Sequence, residues 1–262
     1  MIELHCMDCV KFMRTMEAES VDLVITSPPY DNMRKYKGFS FDFEAVAAGL
    51  YRVVKPEGVV CWVVGDQIVD GGRTLTSFRQ GLHFQEIGFK MHDLIIFEKC
   101  NVFRQRKNGY KSQHEFIFVL VKGNQPKTFN PLMQKKISYR APRQVSLVRK
   151  SSDHGHERRY KITRDFRDER EVKKGNIWKY YTGLYNTTKD KIAFKHPAIF
   201  PERLARDCIL SWSKPGDLVF DPFVGSGTTG KMAKLEGRDF IGTDISPDYI
   251  DIAQRRIDSY GW

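Results

Sequence analysis

The apolar positions of this chain fall into short runs, with helical patterns between them. Seven runs read as strands: 2–5, 21–26, 59–64, 93–97, 115–121, 218–221 and 239–243. Several are continuous rather than alternating, as expected of strands covered on both faces in a parallel sheet. Residues 43–54 carry apolar side chains at helical spacing and stop at Lys55-Pro56-Glu57-Gly58, a helix-end signal. Residues 228–235 are helix-like and end near Gly237. Ser246 before Pro247 reads as an N-cap with proline at the first helical position, after which Tyr249, Ile252, Ala253, Arg256 and Ile257 share one face. Strands alternating with helices predict a doubly wound α/β sheet.

Residues 124–195 break this pattern. They are poor in long apolar runs and hold 19 Lys+Arg against 7 Asp+Glu, whereas the rest of the chain nets −1, so the whole surplus of +11 lies in this stretch. A concentrated basic segment is the electrostatic footprint of a polyanion, because each neutralised phosphate releases condensed counterions. The pattern therefore predicts one domain from 1–123 and 196–262, with 124–195 inserted as a basic segment. Ile177-Trp178 and Tyr180-Tyr181 are its local anchors, and the stretch 151–155 reads as mobile. Trp178 either anchors the insertion or stacks on a base, and the anchor is favoured.

At 262 residues and 41% hydrophobic, the chain can bury one sizeable core. No window approaches the ~18 uninterrupted apolar residues of a membrane span, and the start Met1-Ile2-Glu3-Leu4-His5 lacks the basic and apolar regions of a signal peptide. A soluble, cytoplasmic protein is expected. Of the five cysteines, four fall within or beside apolar runs, and no disulfide is expected. Cys6 and Cys9 have C-x-x-C spacing, but no second pair answers them, so no metal is expected.

Two loops carry candidate chemistry. Gly225, Gly227 and Gly230 form a G-x-G-x-x-G spacing between a strand and a helix, where glycine lets backbone turn tightly and approach a ligand. Asp244 ends the next strand, where a carboxylate can accept hydrogen bonds from a ribose. Together they point to a nucleoside cofactor. Ser27-Pro28-Pro29-Tyr30 follows the apolar run 21–26. Each proline fixes its own φ, lacks an N–H and pushes the preceding residue out of the helical region, so carbonyls in such a turn stay free as acceptors. A pair of acceptors can hold an exocyclic amino group, and the adjacent Tyr30 can stack on a base withdrawn from its duplex.

With these motifs the chain resembles the DNA amino-methyltransferases that use S-adenosylmethionine and modify cytosine N4 or adenine N6. The resemblance implies that Thr26 to Tyr30 is the catalytic motif T-S-P-P-Y, with Ser27, Pro28, Pro29 and Tyr30 as catalytic residues. It implies that Asp221, Phe223, Gly225, Ser226, Gly227, Thr228 and Thr229, from D-P-F-x-G-S-G-T-T, form the loop on the methionine side of the cofactor. His196-Pro197-Ala198-Ile199-Phe200-Pro201-Glu202-Arg203-Leu204 is similar to a third element, bringing Phe200 and Glu202 to the cofactor. His5-Cys6-Met7-Asp8-Cys9 is similar to a fourth, in which Asp8 contacts the cofactor adenine. Catalytic loop first, basic recognition segment next and cofactor loop last resembles the beta group. The implied fold is a Rossmann-like sheet of seven strands, with 218–221 central beside 21–26 and 115–121 antiparallel. Gln113-His114-Glu115 is placed near the base pocket, though His114 fits a surface position equally well.

Methyl transfer from a sulfonium needs an in-line approach by a nitrogen whose lone pair is available. Hydrogen bonds from the amino group to the Ser27 side chain and the Pro28 carbonyl would favour pyramidal nitrogen and aim that lone pair. Carbon-5 methylation requires a thiol, typically in a Pro-Cys pair, and no cysteine here follows a proline. Ser27 with Thr26 before it favours cytosine N4 over adenine N6. Arg140, Arg143, Arg149, Arg158, Arg159, Arg164 and Arg167 are candidates for guanine or phosphate contacts. The expected partner is double-stranded DNA, bound by a monomer or homodimer, and any restriction endonuclease would be a separate chain. A nicotinamide-dependent oxidoreductase would leave the Ser-Pro-Pro-Tyr turn and the basic insertion unexplained. A catalytically silent DNA-binding protein, or a methyltransferase acting on RNA or a protein glutamine, would keep the fold and change the outcome.

Overall fold

The computed structural model describes residues 1–29, 41–102, 107–135, 138–139, 143–150, 157–164, 167–168 and 171–259, with backbone alone in the stretches between 138 and 168. Tyr30, Arg140 and the stretch 151–155 lie outside the described residues, as do the side chains of the other six candidate arginines. The chain forms two compact units, Met1–Asn130 with Gly175–Trp262, and Pro131–Lys174.

The first unit is built on strands β1 (Ile2–Cys6), β2 (Val21–Thr26), β3 (Val54–Val64), β4 (Lys90–Lys99), β5 (His114–Val121), β6 (Ile177–Tyr180), β7 (Leu218–Asp221) and β8 (Asp239–Asp244). They form one sheet in the order β1-β8-β7-β2-β3-β5-β4-β6. β5 runs antiparallel to both of its neighbours, and the other pairings are parallel. Helices α1 (Cys9–Thr15), α2 (Phe43–Val53), α3 (Thr76–Glu86), α4 (Glu202–Trp212), α5 (Thr228–Leu235) and α6 (Pro247–Asp258) complete the α/β architecture. Val59 to Val64 are all buried, which is why that run is continuously apolar. Beside it Trp62, Phe84, Phe43 and Phe89 form the aromatic centre of the core, and the Trp62 indole donates to Gln80 at 2.8 Å. Among the described residues no helix is long and apolar enough to cross a membrane.

Three expectations change. The sheet has eight strands rather than seven, because Ile177 to Tyr180 add to the edge at β4. Trp178 and Tyr180 are buried there, and the Tyr180 hydroxyl donates to Asp207 of α4 at 2.6 Å. Trp178 is thus an anchor, but of the sheet. Second, Lys55-Pro56-Glu57-Gly58 does not separate helix from strand. β3 starts at Val54, directly after α2, and these residues form an irregularity between the pairings Val21↔Val54 and Leu23↔Val59. Third, the second unit is narrower than 124–195, since charge marks surface rather than a chain boundary. Asn130 already bonds α4, its amide N–H to Ser211 and its side chain to Leu210.

Within the second unit, Met133–Lys135 pairs with Glu171–Lys173, Ser138–Tyr139 with Arg167–Asp168, and Arg143–Lys150 with Glu157–Arg164, all antiparallel. Successive segments going out therefore meet successive segments coming back, as in a long two-stranded ribbon.

Candidate active site

The carboxyl ends of β2 and β7 are adjacent in the sheet, and a buried carboxylate ties them. The Thr26 hydroxyl donates to Asp221 Oδ1 at 2.7 Å, the Thr229 hydroxyl donates to Oδ2 at 2.7 Å, and the Phe223 N–H donates to Oδ1 at 3.0 Å. Asp221 thus clamps the residue before the Ser27 turn to both ends of the glycine loop. Burial pushes its carboxyl up from 3.8 to about 6, and the hydrogen bonds from Thr229, Thr26 and Phe223 oppose that rise.

The loop between β7 and α5 takes its path from glycine. Gly225 and Gly227 have φ of 48° and 78°, in the left-handed region. A Cβ on Gly225 would sit 3.0 Å from the His196 ring, and one on Gly227 would sit 2.8 Å from the Ala253 backbone of α6. A Cβ on Gly230 would meet Phe240 at 2.6 Å, so this third glycine serves helix–strand packing. Beneath the loop lies an ion cluster. Lys231 bonds Asp190 at 2.8 Å and Glu202 at 2.7 Å, while Arg256 bonds both carboxylates and reaches the Ser226 carbonyl at 3.1 Å and the Thr228 hydroxyl at 2.9 Å. Arg256 is fully buried, and the two acids match the two bases in charge.

A cavity of about 900 Å³ opens along this edge of the sheet, at the upper end of small-molecule sites. One flank is walled by Asp8 of the β1–α1 turn, Gly225, Ser226, Thr228, Asp244 and Ser246. Phe200 and Phe223 cover it, with Tyr249 beside His196 at a ring separation of 4.3 Å. Ser27, Pro28 and Pro29 stand between this flank and a second one made by Phe41, Asp42, Phe97, Lys99, Glu115 and the loop 182–184.

Most of the residues singled out from the sequence therefore converge on one wall. Four do not line it. Asp221 and Thr229 are spent on the clamp, Gly227 on the approach of α6, and Glu202 on the ion cluster. Glu115 lies in the wall, whereas Gln113 does not, and His114 is exposed with its ring packed on Phe116 at 5.4 Å. Ser246 holds the N-cap position of α6, but its side chain makes no capping bond. Its hydroxyl is buried without a hydrogen-bond partner, at the cavity wall beside Asp244.

Asp244 accepts the Gly225 N–H at 3.1 Å on Oδ2 and the Ser246 N–H at 2.9 Å on Oδ1. Burial raises its pKa, and these N–H groups work against that rise. Each carboxylate oxygen keeps further acceptor capacity. Asp8 uses one oxygen to cap α1 at the Lys11 N–H, 2.9 Å away. A site with unspent carboxylate acceptors, a partnerless hydroxyl, glycine backbone and aromatic cover fits a nucleoside that carries a positive centre.

Residues 21–255 match the DNA methylase family. The chain is 48% identical to the orphan methyltransferase M.BamHII of Bacillus amyloliquefaciens, over 92% of this chain and 90% of that one. It shares its fold with the structure named PvuII DNA methyltransferase (cytosine-N4-specific), with TM-score 0.70, 21% identity, and coverage of 97% of this chain and 86% of that one. A second structural neighbour is a DNA modification methylase of Thermus thermophilus complexed with S-adenosyl-L-methionine, with TM-score 0.66, 22% identity, and coverage of 99% and 94%.

Proposed function

The chain belongs to the DNA methylase family, enzymes that move a methyl group from S-adenosylmethionine to an exocyclic amino group of a DNA base, and we propose that its target is cytosine N4, with adenine N6 as the alternative. The clamp of Thr26 and Thr229 on Asp221 carries the assignment of the reacting centre, because it joins the Ser27-Pro28-Pro29 turn to the glycine loop at one cavity. Ser27 at the first motif position favours cytosine.

S-adenosylmethionine supplies an electrophilic methyl group on a sulfonium. Asp244, the Ser246 hydroxyl and Asp8 would hold its nucleoside part, and the backbone at Gly225 and Ser226 with the Thr228 hydroxyl would hold its methionine part. Carboxylates and aromatic faces in the wall favour the positive centre. On the other side of the turn, the Ser27 oxygen and the Pro28 carbonyl accept the amino N–H groups and aim the nitrogen lone pair across the turn. Tyr30 stacks on the base withdrawn from the duplex. Phe41 and Phe97 keep the second flank dry and strengthen these hydrogen bonds.

The unit Pro131–Lys174, with 14 Lys+Arg against 6 Asp+Glu, is the DNA-recognition segment. Replacing Arg158 or Arg159 by alanine is expected to lower the slope of log affinity against log salt by about one each, measured on duplex DNA by fluorescence anisotropy. The enzyme works as a monomer or homodimer, and any endonuclease of matching specificity is another chain.

Incubation with duplex DNA and isotopically labelled S-adenosylmethionine, followed by digestion to nucleosides and mass spectrometry, tests the proposal. Labelled N4-methylcytosine is expected. Labelled N6-methyladenine would replace the target base and leave the cavity assignment in place, and cofactor binding without labelled DNA would point to a silent DNA-binding protein.

A further inference from the structure

The flank of the cavity away from the glycine loop holds charged groups that the transfer itself does not use. Lys99 ends β4 and Glu115 lies at the start of β5, so antiparallel pairing brings both to the same edge of the sheet as Ser27. Their side chains form an ion pair in the cavity wall, with relative exposures of 26% and 15%. Phe97 lies beneath the Lys99 ammonium, 5.7 Å from ring centroid to nitrogen. A half-buried pair facing a cavity rather than bulk solvent loses hydration, and an external salt bridge of this kind contributes little to stability.

Resting on the base-methylation assignment above, we propose that Lys99 and Glu115 are the far wall of the nucleobase site, with Lys99 donating a hydrogen bond to a ring-edge acceptor of the flipped base and Glu115 orienting it. The end of the site at Ser27 and Pro28 offers acceptors, and Pro28 has no N–H. An amino-bearing base presents its N–H donors next to ring acceptors, N3 and O2 in cytosine or N1 in adenine. Once buried, an acceptor left unpaired costs about 1–3 kcal/mol, so the opposite wall must supply a donor. Among the described residues walling this flank, Lys99 is the cationic one. An ammonium carries three donors, so Lys99 can keep Glu115 and still offer another.

The dimensions agree. β2 and β4 are three strand spacings apart in the sheet, about 14 Å at 4.7–4.9 Å each, a gap spanned by a serine, a base ring and an extended lysine stem. The counter-charge also has a purpose. A bare cation at the ring edge would draw electrons out of the amine and weaken it as a nucleophile, whereas the neutral pair positions the base with less withdrawal. Lys99 touches the substrate in this arrangement, and Glu115 is a positioning residue.

The experiment uses the full chain, labelled S-adenosylmethionine and duplex DNA, with 2-aminopurine placed in parallel at the position the wild type methylates. Lys99→Met should slow single-turnover methyl transfer about 10–100-fold and reduce the 2-aminopurine fluorescence rise on binding, while the Kd values for S-adenosylmethionine and for duplex DNA stay within about twofold. Lys99→Arg should retain most of the rate, and Glu115→Gln should fall between the two. Lys99→Gln is read by the same criteria should the methionine variant not fold. Transfer by Lys99→Met or Lys99→Gln within about threefold of wild type overturns the proposal, as does a rate loss matched by a loss of cofactor affinity. A wild type that labels no DNA base would instead overturn the assignment on which this rests.

Discussion

The two flanks of the cavity are built by opposite means. On the side of β1, β8 and β7 the wall is backbone, bent through left-handed glycines and held from beneath by the Asp221 clamp and the Arg256 cluster. On the side of β3, β5 and β4 the wall is side chains on the ends of strands whose interiors are plain apolar core. The contrast teaches where each kind of specificity resides. A cofactor of constant shape suits a preorganised backbone cradle that cannot relax. A base that must enter and leave suits side chains able to give up one partner for another.

The sharpest way to break the first flank is steric. Gly227→Val places a branched side chain at φ 78° with its Cβ 2.8 Å from the Ala253 backbone. The variant should lose about 2–5 kcal/mol of stability in urea unfolding and bind no S-adenosylmethionine by calorimetry.

Asp221→Asn asks how much the clamp depends on charge. The carboxyl titrates near 6 in the folded protein against an ordinary 3.8, so folding favours its protonated form. That stabilisation is complete below about pH 4 and is lost as pH rises through 6, by up to about 3 kcal/mol. Asparagine can accept on its oxygen and donate to Thr229, so the variant should lack this component of the pH dependence. Urea melts of both proteins at pH 4, 5 and 7 measure it, and parallel curves would show that the buried clamp is not the source.

Ser246→Ala has the smallest effect and separates ligand from scaffold. Its hydroxyl has no partner in the protein, so the free protein should keep or slightly raise its Tm. The Kd for S-adenosylmethionine should weaken about fivefold, the value of one hydrogen bond. A lower Tm with unchanged Kd would make Ser246 a scaffold residue.

The first flank was largely legible in the sequence because its parts are contiguous. A strand, a glycine turn and a helix start lie within 218–235, and Asp244 ends the next strand. Glycine spacing reports a required φ and proline reports a rigid turn, and both are local constraints. The same signals misassigned some partners. Asp221, Thr229 and Glu202 belong to the right place, yet their polar atoms are taken by Thr26, Lys231 and Arg256 from other parts of the chain. Ser246 shows the converse error, an N-cap pattern whose hydroxyl is turned to the cavity rather than the helix. Charge located the basic unit but overran its limits, since the 177–180 segment alternates buried and exposed residues as an edge strand does.

The amino-acid sequence by itself determined the α/β alternation, the two loops, the family they resemble and the place of the positive charge. Each of these follows from local backbone preference, hydrophobic period or simple counting. Only the tertiary structure decided which polar atoms face the cavity and which are consumed in holding it, and that Lys99 and Glu115 face it with Ser27. The physical reason is that strand order is set by long-range packing. Residues about 70 to 200 positions apart become neighbours across a ~4.8 Å strand spacing, and no local pattern records that adjacency.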